Sequence, residues 1–228
     1  MRHVVFAFVL LSANLAVAQL STPQPGEYVT DGGSSSLTID SASKFDINTQ
    51  GANGHLCSLE GVIINGKSKI DNSACQVTLK AQGPHVMVTT NGSEECRDFC
   101  GARAWFEGLY RRPSPLCTRQ SIESSKKIFK KEYSAKNFSA ALAAIGPIAT
   151  DCKQLLHWFE SAWISNDLAL TQFKLGDRAA CLRTLKPLAA EAAMTNEEIK
   201  SNYPPIDGDM YLPVVAATRT NLKLCTKK

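Results

Sequence analysis

Histidine is scarce in this sequence, and the motifs that usually mark a catalytic or cofactor site are missing. Of the four histidines, three lie beyond the N-terminal leader predicted below: His55, His85 and His157. None of them belongs to a recognisable Ser-His-Asp or Cys-His arrangement. The sequence also has no H-E-x-x-H zinc motif, no phosphate-binding P-loop and no dinucleotide-binding glycine fingerprint. We therefore predict a protein that is not an enzyme and carries neither cofactor nor metal.

Apolar runs long enough to cross a bilayer are also missing, and the N-terminus carries only a shorter one. Residues 1–18 begin with a basic Arg-His pair, continue through a short apolar run and end in Ala-Val-Ala. This order is typical of a secretory signal peptide, and the run is too short to cross a bilayer. We expect cleavage after Ala18, no transmembrane segment, and a location in the periplasm or outside the cell.

The sequence contains eight cysteines, an even number in a chain with a predicted export signal. In an oxidising compartment such cysteines are expected to pair as disulfides. The candidates are Cys57, Cys75, Cys96, Cys100, Cys117, Cys152, Cys181 and Cys225.

The segment 19–112 has the pattern of short strands separated by turns. Stretches such as "SLTID", "CQVTLKAQ" and "HVMVTT" alternate with turn clusters such as "DGGSSS" and "NGSEE". Short strands at this spacing predict an all-antiparallel β-barrel or sandwich. The letters "GEY" at 26–28 are echoed by "GLY" at 108–110, so we expect the first and last strands to pair and close the barrel.

The segment 113–228 has the periodicity of amphipathic helices. Within it, "YSAKNFSAALAAIGPI" at 133–148 is repeated as "FKLGDRAACLRTLKPL" at 173–188, an offset of 40. Each copy predicts a helix end, a short turn and a second helix, and the final helix is expected to begin after Pro213. A single helical hairpin cannot bury its apolar face alone, so the two should stack. The chain is therefore predicted to be α+β, with two modules.

The repeat resembles the tetratricopeptide family of helical hairpins. The matching stretch is "LGDRAACLRTL", with Gly176-Asp177 in the turn and Cys181 where that family prefers a small residue. The resemblance covers residues 120–191, although the period of 40 is longer than the usual repeat of about 34. It implies helical hairpins that hold a peptide or a partner helix in a groove.

The predicted helices constrain four of the cysteines. Cys117 precedes the first helix and Cys152 follows the second, and these two ends are neighbours in an antiparallel hairpin. Cys181 lies near the start of the fourth helix and Cys225 near the end of the fifth, so their sulfurs meet if those helices pack antiparallel. We therefore predict the disulfides Cys117–Cys152 and Cys181–Cys225.

The other four cysteines fall in the β segment and allow three pairings. The preferred pairing is Cys57–Cys75 with Cys96–Cys100. The alternative is a metal site formed by Cys57, Cys96 and Cys100 together with His55. A C-x3-C spacing without a second close pair is not typical of zinc, so disulfides are favoured in an exported protein.

Charge is distributed unevenly along the chain. Residues 19–110 contain 10 acidic and 6 basic residues, whereas residues 111–228 contain 18 basic and 11 acidic residues. An acidic segment followed by a basic one indicates two modules with different surfaces.

Two polar clusters are candidate binding residues. One is the acidic turn "NGSEE", and the other is a basic cluster at the junction of the two segments. The basic cluster is either a solvated helix face or a contact for an anionic partner, and the predicted export disfavours nucleic acid as that partner. The candidates are Asn91, Ser93, Glu94, Glu95, Arg111, Arg112, Lys126, Lys127, Lys130 and Lys131.

The β segment is similar to the small periplasmic lysozyme inhibitors of bacteria. The stretches that carry this resemblance are "NGHLCSLEG" at 53–61, "CQVTL" at 75–79 and "CRDFCGARAWFEGLY" at 96–110. Such inhibitors are disulfide-bearing antiparallel barrels whose loops plug a muramidase cleft. The Ser-Gly-x-x-Tyr signature of that group is absent, so the resemblance assigns no inhibitory residue. It implies a protein partner, and the acidic surplus of the segment suits a basic one such as lysozyme.

These observations predict a non-enzymatic, periplasmic protein-binding module that acts as a lysozyme inhibitor or an immunity-like protein. The alternative is an envelope assembly or scaffold factor that binds a peptide or protein partner through its helical hairpins. A third hypothesis is a cell-wall hydrolase. It is disfavoured because Glu94 and Glu95 adjoin in a turn, whereas the two carboxylates of glycoside hydrolysis come from separate strands.

Overall fold

The computed structural model describes residues 22–227 of the chain. It confirms the predicted α+β layout, in which an antiparallel β-barrel is followed by a helical module. Within this described part, no helix combines the length and the apolar character needed to span a membrane. The predicted signal peptide, residues 1–18, lies outside the described residues.

The described residues form one antiparallel sheet of eight strands in the order β4-β3-β2-β1-β8-β7-β6-β5. These strands are β1 Gly26–Thr30, β2 Ser35–Ile39, β3 Lys44–Gln50, β4 Leu56–Val62, β5 Lys67–Lys69, β6 Gln76–Gln82, β7 His85–Thr90 and β8 Gly108–Arg111. The expected pairing of the first and last strands is confirmed, since Thr30 lies opposite Tyr110. However, β1 and β8 lie at the centre of the sheet, so their pairing does not close the barrel. The two edge strands, β4 and β5, approach each other instead and nearly close it. There a Cβ on Gly61 would lie 2.4 Å from Ser68 Oγ, so glycine permits the close approach.

The barrel encloses a core that follows from the alternation of side chains along each strand. In β3, Phe45, Ile47 and Thr49 are buried while the residues between them are exposed. Tyr110 is also fully buried, and its hydroxyl donates a 2.8 Å hydrogen bond to Phe106 O. Burial raises the pKa of Tyr110 to about 12. Full burial of one large apolar side chain contributes about 1.5–3 kcal/mol.

The structure confirms two of the predicted disulfides and corrects the other two. Cys117–Cys152 and Cys181–Cys225 are present as predicted. In the barrel, the preferred pairing Cys57–Cys75 with Cys96–Cys100 is wrong, because the bonds are Cys57–Cys100 and Cys75–Cys96. A crosslink of this kind contributes about 2–4 kcal/mol, mainly by restricting the unfolded chain.

The correction has a geometric reason. The segment that carries Cys96 and Cys100 runs beside the free edge of β4, where Ser58 N donates a 3.2 Å hydrogen bond to Phe99 O. This pairing places Cys100 opposite Cys57 and leaves Cys96 beside Cys75. The alternative metal site loses its ligands, because all eight cysteines are disulfide-bonded. Among residues 22–227, no group of three or more His, Cys, Asp or Glu side chains is arranged to hold a metal ion.

The helical module consists of two hairpins followed by three further helices within the described residues. In the hairpins α1 packs against α2 and α3 packs against α4, and α7 packs along α3 and α4. The helices are α1 Arg119–Ser134, α2 Phe138–Asp151, α3 Trp158–Lys174, α4 Arg178–Leu185, α5 Ala189–Ala193, α6 Asn196–Asn202 and α7 Pro205–Thr226.

The internal repeat reappears in the backbone of the two hairpin turns. Lys136 N donates a 3.0 Å hydrogen bond to Tyr133 O, and Gly176 N donates an equal one to Phe173 O. Lys136 and Gly176 both have positive φ angles, 63° and 85°. Residues 40 apart in the sequence therefore form the same turn, and glycine occupies this left-handed position without the steric cost that lysine carries.

The expected start of the last helix is wrong. It begins at Pro205, and Pro213 lies in its interior. Proline removes one helical hydrogen bond, but Tyr211, Val214 and Val215 around it are almost completely buried. The burial of these side chains, worth about 1.5–3 kcal/mol each, offsets the lost bond.

A buried polar network fixes the register of α7 against α3. Asn166 Nδ2 donates a hydrogen bond of 2.9 Å to Thr218 Oγ1, and Asn221 Nδ2 donates one of 3.0 Å to Asn166 Oδ1. All three side chains are buried. A slip of one helix along the other would leave buried polar groups unpaired, at about 1–3 kcal/mol each.

The barrel caps the N-termini of two helices of the other module. Asn53 Oδ1 accepts a 3.0 Å hydrogen bond from Ile206 N, and Asp207 Oδ2 accepts a 2.8 Å bond from Asn53 N. This is the reciprocal arrangement of a capping box, assembled from residues of two modules. Likewise Glu27 Oε1 accepts a 3.0 Å bond from Arg119 N at the start of α1.

A third contact between the modules depends on a glycine. Gly33 has a φ of 63°, and a Cβ at this position would lie 2.3 Å from His157 N. Any other residue would therefore push the barrel away from the segment that leads into α3.

Removing either half of the cap between Asn53 and Asp207 is expected to weaken the junction. Asn53→Gly keeps the positive φ of 59° at this position but removes the acceptor for Ile206 N, and Asp207→Ala removes the acceptor for Asn53 N. Each substitution should lower the free energy of unfolding by about 0.5–2 kcal/mol. The double variant should lose less than the sum, because the two bonds form one arrangement. Urea denaturation of the four proteins measures both effects.

Asp209→Ala is the matched control for this cycle. Asp209 lies in the same helix and pairs with Lys200 at the exposed surface, at 2.9 Å. Its loss should cost less than about 0.5 kcal/mol. Strictly additive losses from the two junction substitutions would contradict the reciprocal cap.

Candidate functional site

The acidic turn predicted as a binding candidate serves largely to tie two loops together. Asn91 Nδ2 donates a hydrogen bond of 3.0 Å to Ala74 O, and Glu95 Oε2 accepts one of 2.6 Å from Ala74 N. That backbone bond, helped by the Ser73 hydroxyl, lowers the pKa of Glu95. Glu94 is exposed and Ser93 is half-buried.

The two arginines of the predicted basic cluster are bound to the barrel itself. Arg111 Nε and Nη2 donate to Asp31 at 2.5 and 2.9 Å, and the bond from Arg111 lowers the pKa of Asp31. The Arg112 guanidinium lies 4.8 Å from the centroid of the Tyr28 ring and donates a hydrogen bond of 2.6 Å to the Tyr28 hydroxyl. Both guanidinium groups are therefore occupied by partners in the β segment.

The four lysines of the cluster lie on α1 and point in two directions. Lys126 and Lys130 line a groove between α1 and α3, whereas Lys127 and Lys131 lie outside its lining. Lys127, Lys130 and Lys131 are all exposed, and Lys126 is half-buried. Successive residues of a helix are about 100° apart around its axis, so neighbours in sequence face different surroundings. The structure therefore divides the sequence-predicted cluster into separate groups.

The groove between α1 and α3, here called the α1–α3 groove, has a volume of about 510 Å³. Its apolar side chains are packed together, and the rings of Phe159 and Trp163 meet edge to face with centroids 6.4 Å apart. Both rings are only partly buried, so they present apolar surface to the groove. The lining residues are Lys126, Phe129, Lys130, Phe159, Glu160, Trp163, Ile164 and Asp167.

Helical spacing explains why these residues share one groove. In α3, Phe159, Trp163 and Asp167 follow one another at intervals of four, and Glu160 and Ile164 form a second such row beside them. Residues four apart lie on the same face of a helix. Lys126 connects the two helices that form the groove. Its Nζ donates a hydrogen bond of 2.8 Å to Glu160 Oε1 of α3 and one of 3.0 Å to Glu123 Oε1 of α1. Burial acts to lower the pKa of Lys126, but the two carboxylates outweigh it and the pKa is raised. Lys126 therefore stays charged and holds α1 and α3 together.

Asp167 is the unusual ionisable group of the groove. Burial raises its pKa to about 6, and the charge of Lys126 offsets only part of this effect. Within the described residues no side chain or backbone group donates a hydrogen bond to its carboxylate. A carboxylate held in this way is available to a donor that enters the groove.

Two further clefts lie between the barrel and the start of α3, and His157 lines both. One, of about 540 Å³, extends towards α1 and includes Glu27 and Arg119. The other, of about 570 Å³, contains the exposed rings of Trp105 and Trp158 and is here called the tryptophan cleft. Burial lowers the pKa of His157, so this side chain is neutral near pH 7.

Sequence reasoning identified the lysines of α1 but not the residues that complete the sites. Phe159 and Trp163 lie in the segment 113–228, which has helical periodicity, but periodicity does not show which apolar side chains stay half-exposed. Trp105 lies in the stretch that carries two disulfide cysteines, and its neighbours are buried although it is not. No local sequence signal marks it, because Ala104, Trp105 and Phe106 are all apolar.

Comparison of the chain with protein-family models, with curated proteins and with solved structures gave no match.

Replacing Asp167 with asparagine is expected to stabilise the protein at about pH 7 but not at about pH 4. The carboxyl has a pKa of about 6 when folded and about 3.9 when unfolded. The folded state thus binds the proton more tightly, and ionisation opposes folding as the pH rises between these values. Asp167→Asn should raise the free energy of unfolding by on the order of 1–3 kcal/mol at neutral pH.

Urea denaturation at the two pH values measures this difference. Asp151→Asn, at the exposed end of α2, is the control and should change the free energy of unfolding by less than about 0.5 kcal/mol. A gain from Asp167→Asn that is equal at both pH values would contradict the assignment of the raised pKa to this carboxyl.

Proposed function

We propose that this protein is a non-enzymatic binding module that holds a segment of a protein partner in the α1–α3 groove. The observation that carries the proposal is the partly exposed pair Phe159 and Trp163, flanked by the lysines of α1. Aromatic side chains in a partly formed apolar pocket are the residues that dominate protein interfaces. Binding of a helix or strand in such a groove is a common mode of peptide recognition.

Charge defines the chemistry of the partner segment. The α1 helix carries five basic and two acidic residues, and within the described part of the chain Lys130 makes no ion pair. A segment with an apolar anchor followed by Asp or Glu would bury the anchor against Trp163 and place its carboxylates beside the exposed lysines. Such contacts speed association and orient the partner, and salt weakens them.

The groove volume limits what enters it. About 510 Å³ accommodates one or two side chains rather than a folded domain, so the rest of the partner would lie along the outer face of α1. A basic residue of the partner that reached Asp167 would pair with its carboxylate and offset the cost of burying it. The proposal therefore describes a short linear segment with a central apolar anchor.

Selection of peptides from a random display library on the full chain tests the proposal. We expect enriched peptides with an apolar residue flanked by Asp or Glu, and weaker binding at higher salt. Lys130→Glu should weaken these peptides by about tenfold or more, since it reverses a charge at the rim of the anchor site. The matched control is Lys174→Glu, an exposed lysine at the end of α3 outside the groove. Failure to enrich any peptide, or equal effects of the two variants, would sink the proposal.

A second candidate function is inhibition of a lysozyme-type muramidase by the barrel. The observation that favours it is the segment around Glu94 and Asp98, which two disulfides fix to the barrel through Cys96 and Cys100. Both carboxylates are exposed, and a rigid acidic loop suits a basic enzyme cleft. The excess of acidic over basic residues in 19–110 supports the inhibitor function in the same way as this loop.

The inhibitor version predicts that excess protein slows the clearing of a cell-wall suspension by a basic lysozyme. The double variant Glu94→Lys with Asp98→Lys should lose most of this effect, because two acceptors of basic partner groups are reversed. The control variant is Asp71→Lys, another exposed acidic residue of the barrel. Clearing at the full rate in the presence of excess wild-type protein would eliminate the inhibitor function, and it would leave the groove proposal untouched.

A further inference from the structure

The tryptophan cleft carries an unusual amount of exposed aromatic surface. Trp105 is 63% exposed and Trp158 is 39% exposed, and both line the same cleft of about 570 Å³ between the barrel and the start of α3. Clefts of this size at the boundary of two modules are frequent ligand sites. Exposing two indole rings to water costs hydrophobic free energy, and exposed apolar patches commonly mark binding sites.

The structure holds Trp105 in its exposed position. Ala104 and Phe106 on either side of it are buried at 1% and 3%, so the side chain between them points outward. The backbone before it is fixed as well, because a Cβ on Gly51 would lie 2.0 Å from Arg103 O. The exposed ring is therefore a consequence of ordered neighbours rather than of a loose loop.

Trp158 is held by an aromatic cluster. Its ring stacks on Tyr203 with an interplanar angle of 16° and meets Tyr211 edge-on with centroids 5.0 Å apart. The hydroxyls of both tyrosines donate to Glu191, and burial together with the charge of Glu191 raises the pKa of each tyrosine. The ring is fixed before any ligand arrives, which reduces the entropy cost of binding.

The rest of the cleft is polar. Asp207 and Glu107 each accept a backbone hydrogen bond with one carboxylate oxygen, at 2.8 and 2.7 Å, and the other oxygen of each has no hydrogen-bond partner among the described residues. Hydroxyl and amide groups complete the lining, including Ser34, Thr49 and Gln50. The cleft thus combines flat apolar rings with several hydrogen-bond acceptors and donors.

We propose that the tryptophan cleft binds a saccharide chain. A pyranose ring has an apolar face of C–H groups that stacks on an indole, and hydroxyls around its edge that donate to carboxylates and accept from hydroxyls and amides. An entirely apolar ligand would leave the polar groups of the cleft without partners. The carboxylates of Asp31, Glu107 and Asp207 outnumber the guanidinium of Arg103 in the lining of the cleft, so an anionic ligand would be repelled. This site is separate from the α1–α3 groove and does not rest on the proposed protein-binding function.

Titration of the full chain with N-acetylchitotetraose and with cellotetraose tests the inference, with tryptophan fluorescence and calorimetry as readouts. We expect saturable binding of at least one of the two. Trp105→Ala should weaken that binding by about tenfold or more, whereas Trp105→Phe, which keeps an aromatic face, should retain most of it. The 63% exposure of Trp105 means that its removal should leave folding intact, which a thermal melt checks.

The matched control is Leu56→Ala, which removes an apolar side chain that is 62% exposed on β4. It should bind the saccharide as the wild type does, and so should Lys130→Glu in the α1–α3 groove. The inference is overturned if neither saccharide binds, or if Trp105→Ala binds as tightly as the wild type. It is also overturned if spermidine saturates the cleft and the saccharides do not, because the aromatic rings would then serve a cation.

Discussion

The two modules of this protein are joined by polar contacts at helix N-termini. Each helix presents unpaired N–H groups and a partial positive charge at that end, and the barrel supplies the acceptors. Glu27 serves α1 and Asn53 serves α7. The acidic surplus of residues 19–110 is thus partly complementary to the helical module itself. At the start of α3 the barrel is held by a different contact, the close approach of Gly33 to the backbone of His157, and both clefts lie beside this point.

The sequence was sufficient to predict the architecture because burial follows a different period in each module. Alternation over residues 19–112 and helical spacing beyond them both record which side chains face a core. The disulfides of the helical module were predictable since helix ends fix where Cys117 and Cys152 meet. The barrel disulfides were not, because the edge of β4 captures the segment around Cys100, and long-range pairing of this kind leaves no local signal.

The candidate sites were less predictable for a related reason. A lysine in a cluster on α1 is visible in the sequence, but the groove also needs Phe159 and Trp163, which are brought there by the packing of α3. Apolar periodicity marks side chains that avoid water and does not report which of them remain half-exposed. Trp105 would be assigned to the core by composition alone, and only its ordered, buried neighbours show that it faces outward.

Helix α3 belongs to both candidate sites. Its first residue, Trp158, forms a wall of the tryptophan cleft, and Phe159 and Trp163 in its first two turns form the apolar surface of the groove. A tilt of α3 would change the shape of the tryptophan cleft and of the α1–α3 groove together. Thermodynamic linkage then requires reciprocity: whatever factor a sugar chain imposes on the affinity for a polypeptide, the polypeptide imposes on the affinity for the sugar. The two proposed sites therefore share one helix, and any coupling between their ligands would pass through α3 in both directions.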